Sequence, residues 1–399
     1  MKTLAVSGAA GNDLQIRIDS VKRLPPLFHK YMRKTVAYSK VPELYGSEWS
    51  IDKVMALLGE RATRPVCHSY GGRAPHVAYG VARLGGDVKL ITVFGSDLHE
   101  PYPGFFGGGY WDHLIRSGVK MSLLEVEVPE SVWSDDGKMA AYLRDRYGEE
   151  IDAREAICVC NKKTPTIVCG KDAENTDFFY IDDVNGAGRL ELARPAPVNA
   201  LRSSDVIFVT TSEPSFMESV VQTGHRLGKE VMMDIGSYGV STPFLRNTVP
   251  LAKVIFGNPI ELNQVCTAFN VSRPEEIFDS TGTKLPDMIV LEDKHEGYVI
   301  LMTRDGSKKV GPVPLKKTGN SVGCCDGIAS GFLALYQRGM DAETCAKAGL
   351  VFCSTIWEVE GVQEGIPNKE GFHDRFLDLF KEGRSNSELH LLEESLFKD

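Results

Sequence analysis

The sequence predicts an α/β protein whose central sheet is mainly parallel and flanked by helices in a three-layer sandwich. Three observations carry that expectation. Short β-branched runs of nearly unbroken apolar character recur along the chain, as strands buried on both faces require. Most runs precede a helical pattern, which is the alternation of right-handed crossovers. Glycine-rich turns mark strand ends and helix starts, where such sheets bind their ligands.

Strands are expected at 3–7, 88–94, 206–210, 231–234, 254–256 and 288–291, with helices at 75–84, 111–117, 214–227, 259–269, 326–338 and 342–359. The first strand ends in Gly8-Ala9-Ala10-Gly11-Asn12-Asp13, which places a carboxylate just past it. Two regions break the alternation. Residues from about 14 to 50 are polar and aromatic, with basic residues between Arg17 and Lys40. Residues 123–182 carry strand-like pieces at 124–128 and 164–169. Two insertions from one core are expected to pair into a small β-sheet lid over the site; the other reading is two unrelated surface excursions. One α/β domain then spans 1–385, and 386–399 reads as a charged helical tail.

The chain has 399 residues, of which 42% are hydrophobic and 25% charged, enough for a substantial core. A net charge of −9 argues against general affinity for nucleic acid or anionic membranes. No apolar run approaches the about 20 residues of a membrane span. Nine cysteines at irregular spacing, with no apolar leader, point to the reducing cytoplasm. No C-x-x-C pair is present, so structural zinc is not expected.

The most informative stretch is Ser321-Val322-Gly323-Cys324-Cys325-Asp326-Gly327, which runs into an apolar helix. Small residues at a helix start leave backbone N–H groups uncovered, and with the helix dipole these make an anion site. An aspartate at its mouth repels the anion. Its better use is as a base that takes a proton from a hydroxyl attacking phosphorus. The plain alternative is a helix N-cap. A second turn, Gly71-Gly72-Arg73-Ala74-Pro75-His76, opens another helix and is followed by Arg83-Leu84-Gly85-Gly86-Asp87-Val88.

In this order the elements resemble the ribokinase, or PfkB, family of carbohydrate and nucleoside kinases. The N-terminal signature is Gly71-Gly72 with the helix leading to 82–88 and Val93-Phe94-Gly95-Ser96-Asp97. The C-terminal one covers 322–332, against the family's G-A-G-D. Between them Asn258-Pro259-Ile260-Glu261 looks like N-x-x-E, and the hairpin 289–301 stands where the family has strand, T-L-G-x-x-G, strand. The loop 360–367 also fits, so the resemblance covers about 3–380.

The resemblance implies a ribokinase-like fold and transfer of the γ-phosphate of ATP, or another nucleotide, to a hydroxyl of a sugar, nucleoside or polyol. Asp326 would be the base, and the amides of Gly323, Cys324 and Cys325 the anion hole. Asp13 and the Gly71-Gly72 turn would hold the acceptor's hydroxyls, with His76 where the family has a substrate-contacting Asn. Asn258 and Glu261 would place Mg²⁺ through water, Glu261 on the metal side, unless both merely start a helix. Asn258, Glu292, Gly297 and Asn320 would border the nucleotide. A monovalent cation is a further cofactor to expect. A homodimer through the lid's sheet edges is the expected assembly, with neither nucleic acid nor membrane as partner.

The departures are several. Cys325 replaces a usual Gly, Asn320-Ser321 an Asp-Thr, His76 an Asn, and Glu292 a Thr. The usual D-P-N-x-R reads Asp234-Ile235-Gly236-Ser237-Tyr238, so its basic residue is missing. The basic cluster from Arg17 to Lys40 either folds over the site or is a solvated face. Cys324 and Cys325 are expected to be inert small residues, since adjacent cysteines bridge only with strain. These changes motivate a second reading, a catalytically silent binding or scaffold protein on the same fold.

Overall fold

The computed structural model describes residues 1–20, 51–101, 108–133, 135–153, 157–173, 177–182, 187–192, 196–236, 240–294, 296–316, 319, 321–380, 393–394 and 396–397. Eight strands form the central sheet: β1 (Leu4–Ser7), β2 (Val88–Ile91), β3 (Val206–Val209), β4 (Glu230–Asp234), β5 (Val254–Gly257), β6 (Met288–Asp293), β7 (Tyr298–Thr303) and β8 (Gly306–Val310). Their spatial order is β8-β7-β6-β5-β4-β3-β1-β2. The six strands β1 to β6 pair in parallel, and β7 and β8 add antiparallel at one edge.

Alternation along each strand divides the apolar runs between two helical layers. Leu4, Val6, Phe208, Met232 and Phe256 face a core with Ile328, Phe332 and Phe352. Ala5, Ile207, Val209, Val231 and Ile255 face the opposite core with Phe216, Val220, Phe244 and Leu262. On the first side the Phe256 ring stands edge-on to those of Phe208 and Phe332, at centroid distances of 5.6 and 5.2 Å. The expected fold class is observed.

Four helices position the site: α1 (Arg73–Arg83), α2 (Pro259–Phe269), α3 (Cys324–Tyr336) and α4 (Ala342–Ile356). Helices α1 and α3 each start two residues earlier than expected. Asp326 is therefore the third helical residue, and Gly323 holds the N-cap position with φ 83°. The N-cap reading of Asp326 fails on that geometry. No described helix is long and apolar enough to cross a membrane.

A smaller four-stranded sheet has the order Cys67–Gly71, Gly11–Arg17, Thr166–Lys171, Asp177–Asp182. Strand Gly11–Arg17 pairs with Thr166–Lys171 in parallel, so the two irregular regions do meet. The strand begins at Gly11, which puts Asp13 inside the ladder rather than past its end. The expected strand at 88–94 is two strands. Thr92 breaks it by donating its hydroxyl to the Gly8 carbonyl at 2.6 Å, and Val93–Gly95 joins a parallel sheet with Ile157–Cys160 and Leu123–Val126. Residues Asp136–Ala153 form an unexpected helix, which buries Met139 and Leu143 one turn apart.

Candidate active site

Two glycines bring the start of α1 against Asp13. A Cβ on Gly71 would lie 2.1 Å from Asp13 Cγ, so only a bare backbone lets the strand Cys67–Gly71 pass that carboxylate. Gly72 then turns the chain into α1 with φ 80°. Asp13 sits opposite Ser69 in the antiparallel pair, is 3% exposed, and its Oδ1 has no hydrogen-bond partner. Burial pushes its carboxyl up to about 8, with the charges of Asp326 and Glu364 adding to the shift.

The turn before α3 is equally constrained. A Cβ on Gly323 would meet Val362 Cγ1 at 2.7 Å and His76 Cε1 at 2.9 Å. The Cys324 amide donates within the turn, to the Ser321 carbonyl at 3.2 Å. One of the three amides expected to face an anion is thus engaged within the turn. The Cys324 thiol is buried and donates to the Cys353 carbonyl at 3.9 Å, and Cys324 and Cys325 are free thiols. Burial and the neighbouring Glu292 hold the Cys325 thiol well above its ordinary value.

Arg73 joins the two turns. Its Nε donates to Asp326 Oδ1 at 2.7 Å, its Nη1 to Thr211 Oγ1 at 2.6 Å, and its Nη2 to Asp234 Oδ2. Burial alone would lower the Arg73 pKa, but Asp234, Asp326 and Glu261 overcome it and keep the guanidinium charged. The basic residue missing after Asp234 in sequence is thus supplied from the Gly71-Gly72 turn. Sequence reasoning passed over Arg73. The available signal was a cation in the first turn of a helix, where the dipole disfavours it and a partner must hold it.

Further acidic groups surround this pair. Burial raises Asp234 to about 7 against the pull of Arg73. Glu292 is 2% exposed, its Oε1 is unpartnered, and burial followed by the charges of Asp234 and Glu261 raises it strongly. His76 is also buried, with both ring nitrogens unpartnered, and burial lowers it to about 4, so the imidazole is neutral at physiological pH.

Asn258 and Glu261 form a reciprocal cap at the start of α2. Asn258 Oδ1 accepts from the amides of Ile260 and Glu261 at 2.9 and 3.1 Å, and Glu261 Oε2 accepts from the Asn258 amide at 2.9 Å. Both residues thus start α2. Gly297 lies in the turn between β6 and β7, its amide donating to the Asp293 carbonyl at 2.9 Å. Asn320, Tyr238 and the basic positions between Lys22 and Lys40 lie outside the described residues. Among the described residues no three His, Cys, Asp or Glu side chains converge on metal-holding geometry. Glu261 and the unpartnered Glu292 oxygen nonetheless suit a hard cation that keeps most of its water.

The family model for pfkB family carbohydrate kinases matches residues 143–369, more than half of the chain. The chain belongs to the PfkB family. It is 26% identical over 305 residues to a nucleoside kinase of Methanothermobacter thermautotrophicus, covering 75% of this chain and 82% of the relative. It is 24% identical over 306 residues to a cytidine kinase of Thermococcus kodakarensis, covering 75% and 90%. In fold it is similar to the Burkholderia thailandensis nucleoside kinase in complex with inosine, with a TM-score of 0.66, 16% identity, and coverage of 95% of this chain and 99% of that one. This PfkB-family chain is accordingly a phosphotransferase with an alcohol group as acceptor, of the sugar and nucleoside kinase class.

Proposed function

We propose that the chain phosphorylates a hydroxyl of a nucleoside, with ATP or another nucleotide as donor and Asp326 as the base. The observation that carries this reading is Asp326 in the first turn of α3, behind the Gly323 turn and paired to Arg73 at 2.7 Å. The similarity to nucleoside and cytidine kinases favours a nucleoside over a free sugar or polyol.

Asp13 accepts hydrogen bonds from acceptor hydroxyls and orients the reacting one toward Asp326. Asp326 takes that proton as the oxygen attacks the γ-phosphorus in line. The bond to the bridging oxygen breaks, and the nucleoside diphosphate leaves. The amides of Gly323 and Cys325, the dipole of α3 and the Arg73 guanidinium stabilise charge spreading over the transferred phosphoryl oxygens. Glu261 and Glu292 would hold Mg²⁺, which would supply charge compensation for the nucleotide phosphates.

The test is an assay of phosphate transfer from Mg-ATP and Mg-ADP to a panel of nucleosides, free sugars and polyols. Transfer to one or more nucleosides at the highest kcat/KM is expected. Transfer confined to free sugars or polyols contradicts the nucleoside assignment.

A further inference from the structure

Side chains two residues apart on a strand share a face, and strand Gly11–Arg17 uses this spacing to carry Asp13, Gln15 and Arg17 together. Each of the latter two holds backbone or side chain from the larger unit. Arg17 Nε donates to Glu360 Oε1 at 3.1 Å, and Arg17 Nη2 to the Gly319 carbonyl at 3.0 Å. The Gly361 amide donates to Gln15 Oε1 at 3.0 Å. On the adjacent strand Ser69, opposite Asp13, donates to Glu364 Oε2 at 2.8 Å and accepts from the Val362 amide at 2.9 Å.

Two segments are held in this way, the loop at 360–364 and Gly319. Gly319 in turn donates its amide to the Trp357 carbonyl at 2.8 Å, just past the end of α4. Two residues beyond it, the Ser321 carbonyl accepts from the Cys324 amide and from Lys294 Nζ at 3.4 Å. The approach to the Gly323 turn is therefore clamped between the strand that bears Asp13 and the far end of α4. The Arg17 side chain is 25% exposed and that of Glu360 37% exposed. Neither is a core staple, so their geometry serves alignment more than bulk stability.

We infer that Arg17 is a positioning residue: by bridging Gly319 and Glu360 it fixes the Gly323 turn relative to Asp13 and couples the helix-start anion site to the acceptor strand. The functional meaning rests on the kinase reading, while the mechanical link does not. Losing Arg17 removes its hydrogen bonds to Glu360 and Gly319, which makes local opening about tenfold easier.

The experiment uses the full chain and the Arg17→Met and Arg17→Lys variants. Amide hydrogen exchange is followed at 321–327, and Mg-ADP binding is measured by calorimetry. For Arg17→Met, exchange there is expected to rise about tenfold and Mg-ADP affinity to fall about tenfold, with exchange in β3 to β5 unchanged. Arg17→Lys keeps the charge but not the fork and should lie in between. Glu360→Gln, at the more exposed end of the link, gives the same pattern more weakly and carries the test if Arg17→Met does not fold. Unchanged exchange at 321–327, or faster exchange with wild-type Mg-ADP affinity, overturns the inference. Both readouts precede turnover, so failure of the kinase reading would appear separately, as no phosphate transfer by the wild-type chain.

Discussion

Arg73 Nε lies 2.7 Å from Asp326 Oδ1, so the proposed base of α3 is anchored by a cation from the first turn of α1. The same guanidinium reaches Asp234 on β4. It is the counter-charge for a buried group that also includes Glu261 and Glu292. Arg73→Met should destabilise the protein by about 3–5 kcal/mol, the cost of leaving buried charge uncompensated. Arg73→Lys should recover part, since one ammonium cannot fork to both carboxylates and Thr211. Urea denaturation reads both, and a methionine variant as stable as wild type contradicts this account of the cluster.

Asp13 gives a pH dependence of defined sign. Its carboxyl is raised to about 8 in the folded chain from an ordinary value of 3.8, so between those limits the folded state binds more protons than the unfolded. Stability contributed by this group therefore falls as pH rises from about 4 to 8. Asp13→Asn removes the charge, so the variant should gain on wild type across that window, with the difference vanishing below about pH 4. Thermal melting of both ligand-free proteins from pH 4 to 8 measures it. A gap independent of pH would count against the buried, charge-averse environment of Asp13.

Gly323 tests the turn. Its φ of 83° and the close approach of Val362 and His76 leave no room for a methyl group. Gly323→Ala should cost about 1–3 kcal/mol of stability in backbone strain, with a larger proportional loss of phosphate transfer as the helix-start amides tilt. Retention of wild-type transfer would mean that the turn does not handle phosphate.

Glu261 both caps α2 and, in the proposed function, would hold Mg²⁺. Glutamine satisfies the same reciprocal cap but lacks the charge. Glu261→Gln should therefore leave unfolding within about 1 kcal/mol of wild type while raising the Mg²⁺ concentration needed for half-maximal transfer. An unchanged Mg²⁺ requirement would reduce Glu261 to its capping role.

The parallel sheet was legible because β1 and β3 to β6 are apolar runs that need cover on both faces. The Gly71-Gly72 and Gly323 turns were legible because glycine at a helix start announces close approach. What escaped depends on contacts remote in sequence. Arg73 finds Asp234 across 161 positions and Asp326 across 253, and nothing local in the Gly-Gly-Arg turn names those partners. The helix at Asp136–Ala153 escaped because most of its residues are polar, and Met139 and Leu143 alone give a weak stripe. Asp326 was placed too near the cap because the small residues before it hid where the helical hydrogen bonding begins.

The central claim is that Asp326 removes the acceptor's proton, and Asp326→Asn measures it most directly. Asparagine keeps the shape and an acceptor for Arg73, whose charge is still met by Asp234, so folding should change little. Steady-state transfer from Mg-ATP to the best acceptor should fall by about two to four orders of magnitude in kcat, with Mg-ADP affinity retained. Wild-type turnover in the folded Asp326→Asn variant would contradict the account.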